Sequence, residues 1–238
     1  MLLRSLDLLF RDPLTFFAVV PLFIGLIALA LGIAITVHEF SHALASYRLG
    51  DLTATRLGRL SLNPLRHLDP AGTVLLFLVG FGWGKPVPVN PYALRNGRTG
   101  MAVVSAAGPL SNIVTAALFA LPLRLGLLPW RSPLFFDGSF RGGLEGAVGV
   151  LVGFVIFYNL ILAMFNLLPL FPLDGSKVAL GILPRDLAVG FARLEAYGPA
   201  PLLLIVAVDW LTGLGLLWGV LRPMVNYVGS LVVGVEII

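Results

Sequence analysis

The sequence predicts an all-α polytopic membrane protein of about four to six transmembrane helices, with a small β element after the first long helix. Three observations point there. Of 238 residues, 58% are hydrophobic and only 12% charged, and the mean hydropathy is +0.96, far more apolar than a water-facing surface tolerates. Several apolar segments reach the roughly 20 residues needed to cross a hydrocarbon core. Between the first two of them lies an interval rich in glycine and proline, where no helical pattern can continue.

At the N-terminus, Arg4, Asp7, Arg11 and Asp12 are followed by Pro13, which is not the charged n-region and cleavable apolar stretch of a signal peptide. The first helix is therefore expected to be retained. The candidate spans are about 20–48, 101–123, 144–168 and 200–221. The run Thr73–Phe81 is too short to span. Gly72, Gly80, Gly82 and Gly84 punctuate it and Pro86 and Pro88 follow, so it reads as strands or a re-entrant loop, tolerable at membrane depth only against protein or a wet cavity. The stretch Met224–Ile238 is apolar but short, and is expected to be interfacial or docked on the bundle. No repeat or linker divides residues 1–238, which read as one membrane-embedded domain.

The two segments Arg48–Arg98 and Lys177–Arg193 share a side if the short run does not span. They hold ten Lys/Arg against six elsewhere, which places them in the cytoplasm by the positive-inside rule and the N-terminus outside. The formal charge of +4 is scattered, without the basic and aromatic interleaving of a nucleic-acid groove, so nucleic acid is not an expected partner. There is no cysteine. Disulfides, thiolate metal ligands and cysteine nucleophiles are all excluded.

Two of the three histidines occur in His38-Glu39-Phe40-Ser41-His42, at the end of a segment whose residues Leu14–Val37 carry no charge. On a helix, positions i and i+4 share a face, so both imidazoles can bind one Zn²⁺ while Glu39 addresses the attacking water. Catalytic zinc takes a third protein ligand. The acids in apolar surroundings are Asp174, Asp209 and Glu236, and His67 is the remaining histidine. Asp174 is the strongest, because Pro169 and Pro172 break the preceding helix and Gly175 permits a sharp turn that can aim a carboxylate inward. Asp209 is a mid-helix ionisable group and so a functional suspect. His67, in a loop, more simply bonds backbone than metal. Trp83, Trp130, Trp210 and Trp218 read as interfacial anchors or core.

The pairing of His38-Glu39-Phe40-Ser41-His42 with Asn166, Pro169, Pro172 and Asp174-Gly175 resembles the site-2 protease family of intramembrane zinc metalloproteases. Gly108-Pro109-Leu110-Ser111-Asn112 is similar to that family's Gly-Pro-x-x-Asn element. Gly58–Pro64 and Gly82–Asn90 resemble its compact prokaryotic branch, since Leu125–Gly143 cannot hold a PDZ domain and the C-terminus leaves no room for CBS domains. The resemblance implies one Zn²⁺ per chain on His38, His42 and Asp174, with Glu39 as general base. It implies that Asn112 faces the site, bonding the oxyanion or the substrate backbone; a plain interhelical hydrogen bond is nearly as good a reading. Asn166 stands likewise. It further implies a membrane-associated β-hairpin, best placed at Gly80–Val89, pairing with an unwound substrate by β-addition. The expected activity is endoproteolysis of a single-pass membrane protein near the cytoplasmic face of a prokaryotic cytoplasmic membrane. The oligomeric state is unknown. The alternatives are a catalytically silent helix-binding relative, or a zinc transporter.

Overall fold

A computed structural model of the chain describes residues 13–72, 74, 84–133 and 143–238. The charge-free run forms most of α1 (Pro13–Arg48). After a short helix, α2 (Thr53–Arg56), and single 3₁₀ turns at Pro64–Arg66 and Pro91–Ala93, the chain returns through α3 (Gly97–Arg124) and α4 (Gly143–Asn166). It continues with α5 (Asp174–Ile182), α6 (Arg185–Ala192), α7 (Ala200–Thr212) and α8 (Leu216–Val232).

Three of these helices carry segments long and apolar enough to cross a membrane: Val20–Arg48, Gly97–Arg124 and Gly143–Asn166. A fourth exists only if Arg185–Tyr197 and Ala200–Thr212, bent by 68°, count as one broken span. The described residues thus supply three or four spans, at or below the low end of the expected number. The predicted span 200–221 is not continuous. Gly213 and Gly215 sit at φ +65° and +68°, a left-handed region that ends α7 and redirects the chain. Asp209 accepts the N–H groups of Leu216 (2.6 Å) and Leu217 (3.3 Å), satisfying donors that the first turn of α8 cannot satisfy itself.

The core forms around α4, which packs against α1, α3 and α8. Val155, Ile156, Leu160 and Ala163 are fully buried along it. Leu221, Val225, Val233 and Ile237 join the same core, so the C-terminal stretch is docked on the bundle, as expected. The opposite face of α3 carries Val103, Leu110, Val114, Leu118 and Leu121, each more than half exposed. Their spacings of three, four and seven draw one apolar stripe, the face a bilayer would cover.

Residues 80–83 of the predicted hairpin Gly80–Val89, and nearly all of Thr73–Phe81, lie outside the described residues. Within them there is no β-strand at Gly84–Val89. One isolated antiparallel bridge joins Leu68 to Gly84, and residues 85–90 form an irregular segment that crosses in front of α1.

Candidate metal centre

His38 and His42 occupy one face of α1, their rings edge to face with centroids 4.6 Å apart. Asp174 comes to them from the first residue of α5. The helix α4 stops at Asn166, three residues short of Pro169, and the chain turns through a cis Phe171–Pro172 peptide. A Cβ on Gly175 would collide with the carbonyls of Leu167 and Leu168. Gly175 is therefore required for close backbone approach rather than for an unusual φ, and this fold-back places Asp174 at the histidines.

The three ligand atoms make a nearly equilateral triangle. His38 Nε2 lies 3.0 Å from His42 Nε2 and 3.0 Å from Asp174 Oδ2, and His42 Nε2 is 3.1 Å from the same oxygen. Ligands at about 2.0–2.1 Å from a tetrahedral Zn²⁺ are separated by roughly 3.3 Å, so the triangle is close to the size such an ion needs. Among the described residues this is the one group of three or more His, Cys, Asp or Glu side chains gathered closely enough for a metal. His67 is elsewhere: it is buried, its Nε2 bonds the Ser61 carbonyl at 2.6 Å, and it takes no part in the triangle. Asp209 serves as the cap described above.

Donor and acceptor chemistry makes the case for a cation stronger than distance alone. The Nδ1 of His42 faces the carbonyl of Val104 at 2.7 Å. An acceptor there requires Nδ1 to carry the proton, leaving Nε2 with a lone pair. For His38, Nδ1 faces Asn112 Oδ1 at 2.6 Å, with the same result. Asp174 Oδ2, the third corner, belongs to a carboxylate, which when ionised offers lone pairs and no proton. Two nitrogen lone pairs and an ionised oxygen thus converge within 3.1 Å in a buried pocket. Such a set repels itself unless a cation sits among it.

The floor of the site is the backbone of α3. A Cβ on Gly108 would strike the His42 ring and come within 2.7 Å of His38 Cε1. Gly108, the first residue of that Gly-Pro pair, therefore seats the two imidazoles directly. Asn112, one turn on, is completely buried. Its Oδ1 accepts from His38, and its Nδ2 donates to Ala34 O (2.9 Å) and to Asn159 Oδ1 (2.8 Å). Every hydrogen-bonding proton of the amide is committed. Of the two sequence readings, contact with substrate gives way to the interhelical bond, and that bond ends on a ligand histidine. Asn166 is half-buried at the end of α4, with Nδ2 bonded to Leu162 O at 3.0 Å.

Glu39, rotated off the histidine face, meets the segment 84–90. Its Oε2 accepts the Val87 N–H at 3.0 Å. The same segment is tied at both ends, Lys85 N–H to His67 O at 2.7 Å and Asn90 N–H to Asp51 Oδ2 at 2.8 Å. Asp51 is almost wholly buried and also receives the N–H and hydroxyl of Thr53 at 2.9 and 2.6 Å. Burial pushes its carboxyl up, but those Thr53 bonds and the Asn90 N–H prevail and draw it below its ordinary value. Neither Asp51 nor Asn159 was singled out by sequence. Asp51 looks like an ordinary loop acid. Asn159 did carry a signal: a polar side chain inside the apolar run 144–168, the criterion that drew attention to Asp209.

No family model and no solved structure matches the chain. Curated proteins do. The chain is 36% identical over 202 residues, 84% of its own length and 85% of the relative's, to the protein named "Putative zinc metalloprotease YwhC" of Bacillus subtilis (strain 168). It is 31% identical over 149 residues to "Putative zinc metalloprotease Rip2" of Mycobacterium tuberculosis, covering 60% of this chain and 51% of that protein. A Rip2 of Mycolicibacterium smegmatis matches at 31% over 148 residues with the same coverage. The chain thus spans about half the length of the Rip2 proteins and most of YwhC.

Proposed function

Since the chain belongs to the site-2 protease family of zinc metalloproteases, we propose that this metalloendopeptidase hydrolyses a peptide bond in or near a transmembrane segment of a single-pass membrane protein. The observation that carries the reading is the convergence of His38 and His42, on a helix long and apolar enough to span a bilayer, with Asp174 from the turn after another such helix.

His38, His42 and Asp174 would hold one Zn²⁺ per chain. Zn²⁺ there supplies Lewis acidity to the water that attacks the peptide carbonyl. Glu39 takes a proton from that water and passes it to the leaving amine, so one O–C bond forms, one C–N bond breaks, and the carboxylate is regenerated. Asn166 offers its remaining amide proton to the oxyanion or the substrate backbone. A helical substrate must first be unwound, and segment 80–89 is the candidate to hold it extended by backbone pairing. The site lies on the cytoplasmic side: ten Lys/Arg flank that end, and His38 is about 15 Å from the Arg48 end of α1 at 1.5 Å per residue.

The test compares the full chain in detergent with Glu39→Gln and Asp174→Asn, using a transmembrane-helix reporter and zinc analysis. The expected result is one zinc per parent chain, cleavage reduced about 10²–10⁴-fold in Glu39→Gln with zinc retained, and zinc weakened in Asp174→Asn. Cleavage by Glu39→Gln at the parent rate would overturn the role of the base. Zinc-loaded parent that cleaves no reporter would favour a silent helix-binding relative, and zinc uptake into proteoliposomes a transporter.

A further inference from the structure

We propose that Asn159, on α4, is a positioning residue for the metal centre: through Asn112 it fixes which nitrogen of His38 carries the proton and so which is free to bind zinc. Three side chains from three helices form one line, Asn159 to Asn112 to His38, with links of 2.8 and 2.6 Å. Both asparagines are completely buried.

The direction of every bond in this line is set by backbone carbonyls, which have no alternative orientation. Asn159 Nδ2 lies 2.8 Å from Val155 O. Only an amine can face a carbonyl, so Oδ1 of Asn159 must point the other way, at Asn112. Asn112 Nδ2 lies between that oxygen and Ala34 O. Reversing the Asn112 amide would set its oxygen against two acceptors at once. Its Oδ1 is thereby held toward His38, where it demands a proton on Nδ1 and leaves Nε2 bare at the triangle.

Without Asn159, Asn112 would keep one buried N–H with no acceptor. A buried N–H without an acceptor keeps its full desolvation cost, which lets the amide rotate or reverse and releases the His38 ring. A hydrophobic residue would pack at position 159 as well as its neighbours do. Asn159 buries its amide completely on α4, and satisfying Asn112 accounts for it. The inference rests on the zinc reading of the triangle, and the experiment separates the two.

Zinc affinity is measured by chelator competition on the full chain in detergent for the parent, Asn159→Leu, Asn159→Asp, Asn112→Leu and the double variant Asn112→Leu/Asn159→Leu. Asn159→Leu is near in shape and removes the acceptor. It should weaken zinc about tenfold, the lower end of the 10–100-fold loss typical when the outer partner of a metal-binding histidine is removed. Asn159→Asp, held neutral by burial with its O–H turned to Val155 O, keeps an acceptor toward Asn112 and should lose less affinity than Asn159→Leu. In the Asn112→Leu background the Asn159→Leu change should add nothing, because its route to the metal is gone.

A second readout needs no variant. The chain has three histidines, so ¹⁵N ring signals of the zinc-free parent can be assigned, and His38 should appear as the Nδ1–H tautomer. Parent affinity unchanged in Asn159→Leu, additive losses in the double variant, or an Nε2–H tautomer for His38 would each overturn the relay while leaving the zinc site standing. A parent that binds no zinc would instead overturn the metal reading.

Discussion

The two imidazoles are held at one atom each from outside the triangle, His38 by Asn112 and His42 by the Val104 carbonyl. Both holds depend on α3 lying against the rings, and Gly108 permits that contact. Gly108→Ala places a methyl where the His42 ring already is. The predicted outcome is a folded protein with zinc affinity lowered about 10–100-fold, because the rings must tilt off the shared point; chelator competition on the purified variant measures it, and parent-like affinity would refute this account of the glycine. At this scale much of the site was legible. The meeting of His38 and His42 followed from spacing alone, since four residues make about one helical turn. Asp174 was favoured by its proline and glycine neighbours. Asn112 was found with two readings, and the interhelical bond is the one the structure shows; the sequence marks a buried amide without showing which atoms surround it. Asn159 carried the same kind of signal, a polar residue in an apolar run, and was passed over.

Among the elements, the segment 84–90 is the one whose behaviour the sequence described least well. Its glycines and prolines announced a break in helical structure, and strands were the natural expectation. Pairing needs partners from distant parts of the chain, and here the partners are side chains and a loop carbonyl: Glu39, Asp51 and His67. Asp51 is the anchor furthest from the metal. Asp51→Asn should loosen the segment and destabilise the protein by about 1–3 kcal/mol, as expected for hydrogen bonds to a buried charged acceptor, with zinc content unchanged. The pH dependence has a definite sign. The folded carboxyl is drawn below its ordinary value, so its contribution is fully present above the unfolded pKa of about 3.9 and is lost as pH falls through the folded one. Thermal or denaturant melts of parent and variant should therefore differ at pH 7 and converge below about pH 3–4. A gap that persists into acid would show that the anchor is not acting through its charge.

For the molecule as a whole, the membrane class and helical architecture were plain from composition and apolar run length. The count of spans was not, because the apolar content of residues 200–221 conceals two glycines whose left-handed backbone divides it. Binding a metal between α1 and α5 clamps the first long helix to the turn after the last one. A ligand present at about 1,000 times its dissociation constant contributes roughly 4 kcal/mol, and for a chain of this size each kcal/mol moves the midpoint by about 2–4 °C. Removing zinc with a chelator should lower Tm by roughly 8–16 °C, read by intrinsic tryptophan fluorescence. Asp174→Asn should melt near the chelated parent whether or not chelator is added. A midpoint insensitive to chelator would mean that the two ends are clamped by packing alone.

The same clamp has a meaning in time. His42 and Asp174 are 132 residues apart in the chain, and ribosomes add about 5–20 residues per second. For roughly 7–26 s at that pace, each newly made copy displays its histidines and its glutamate without the aspartate that completes the set. The metal site lacks its third ligand until synthesis has passed Asp174, by which point the three longest described helices have been made.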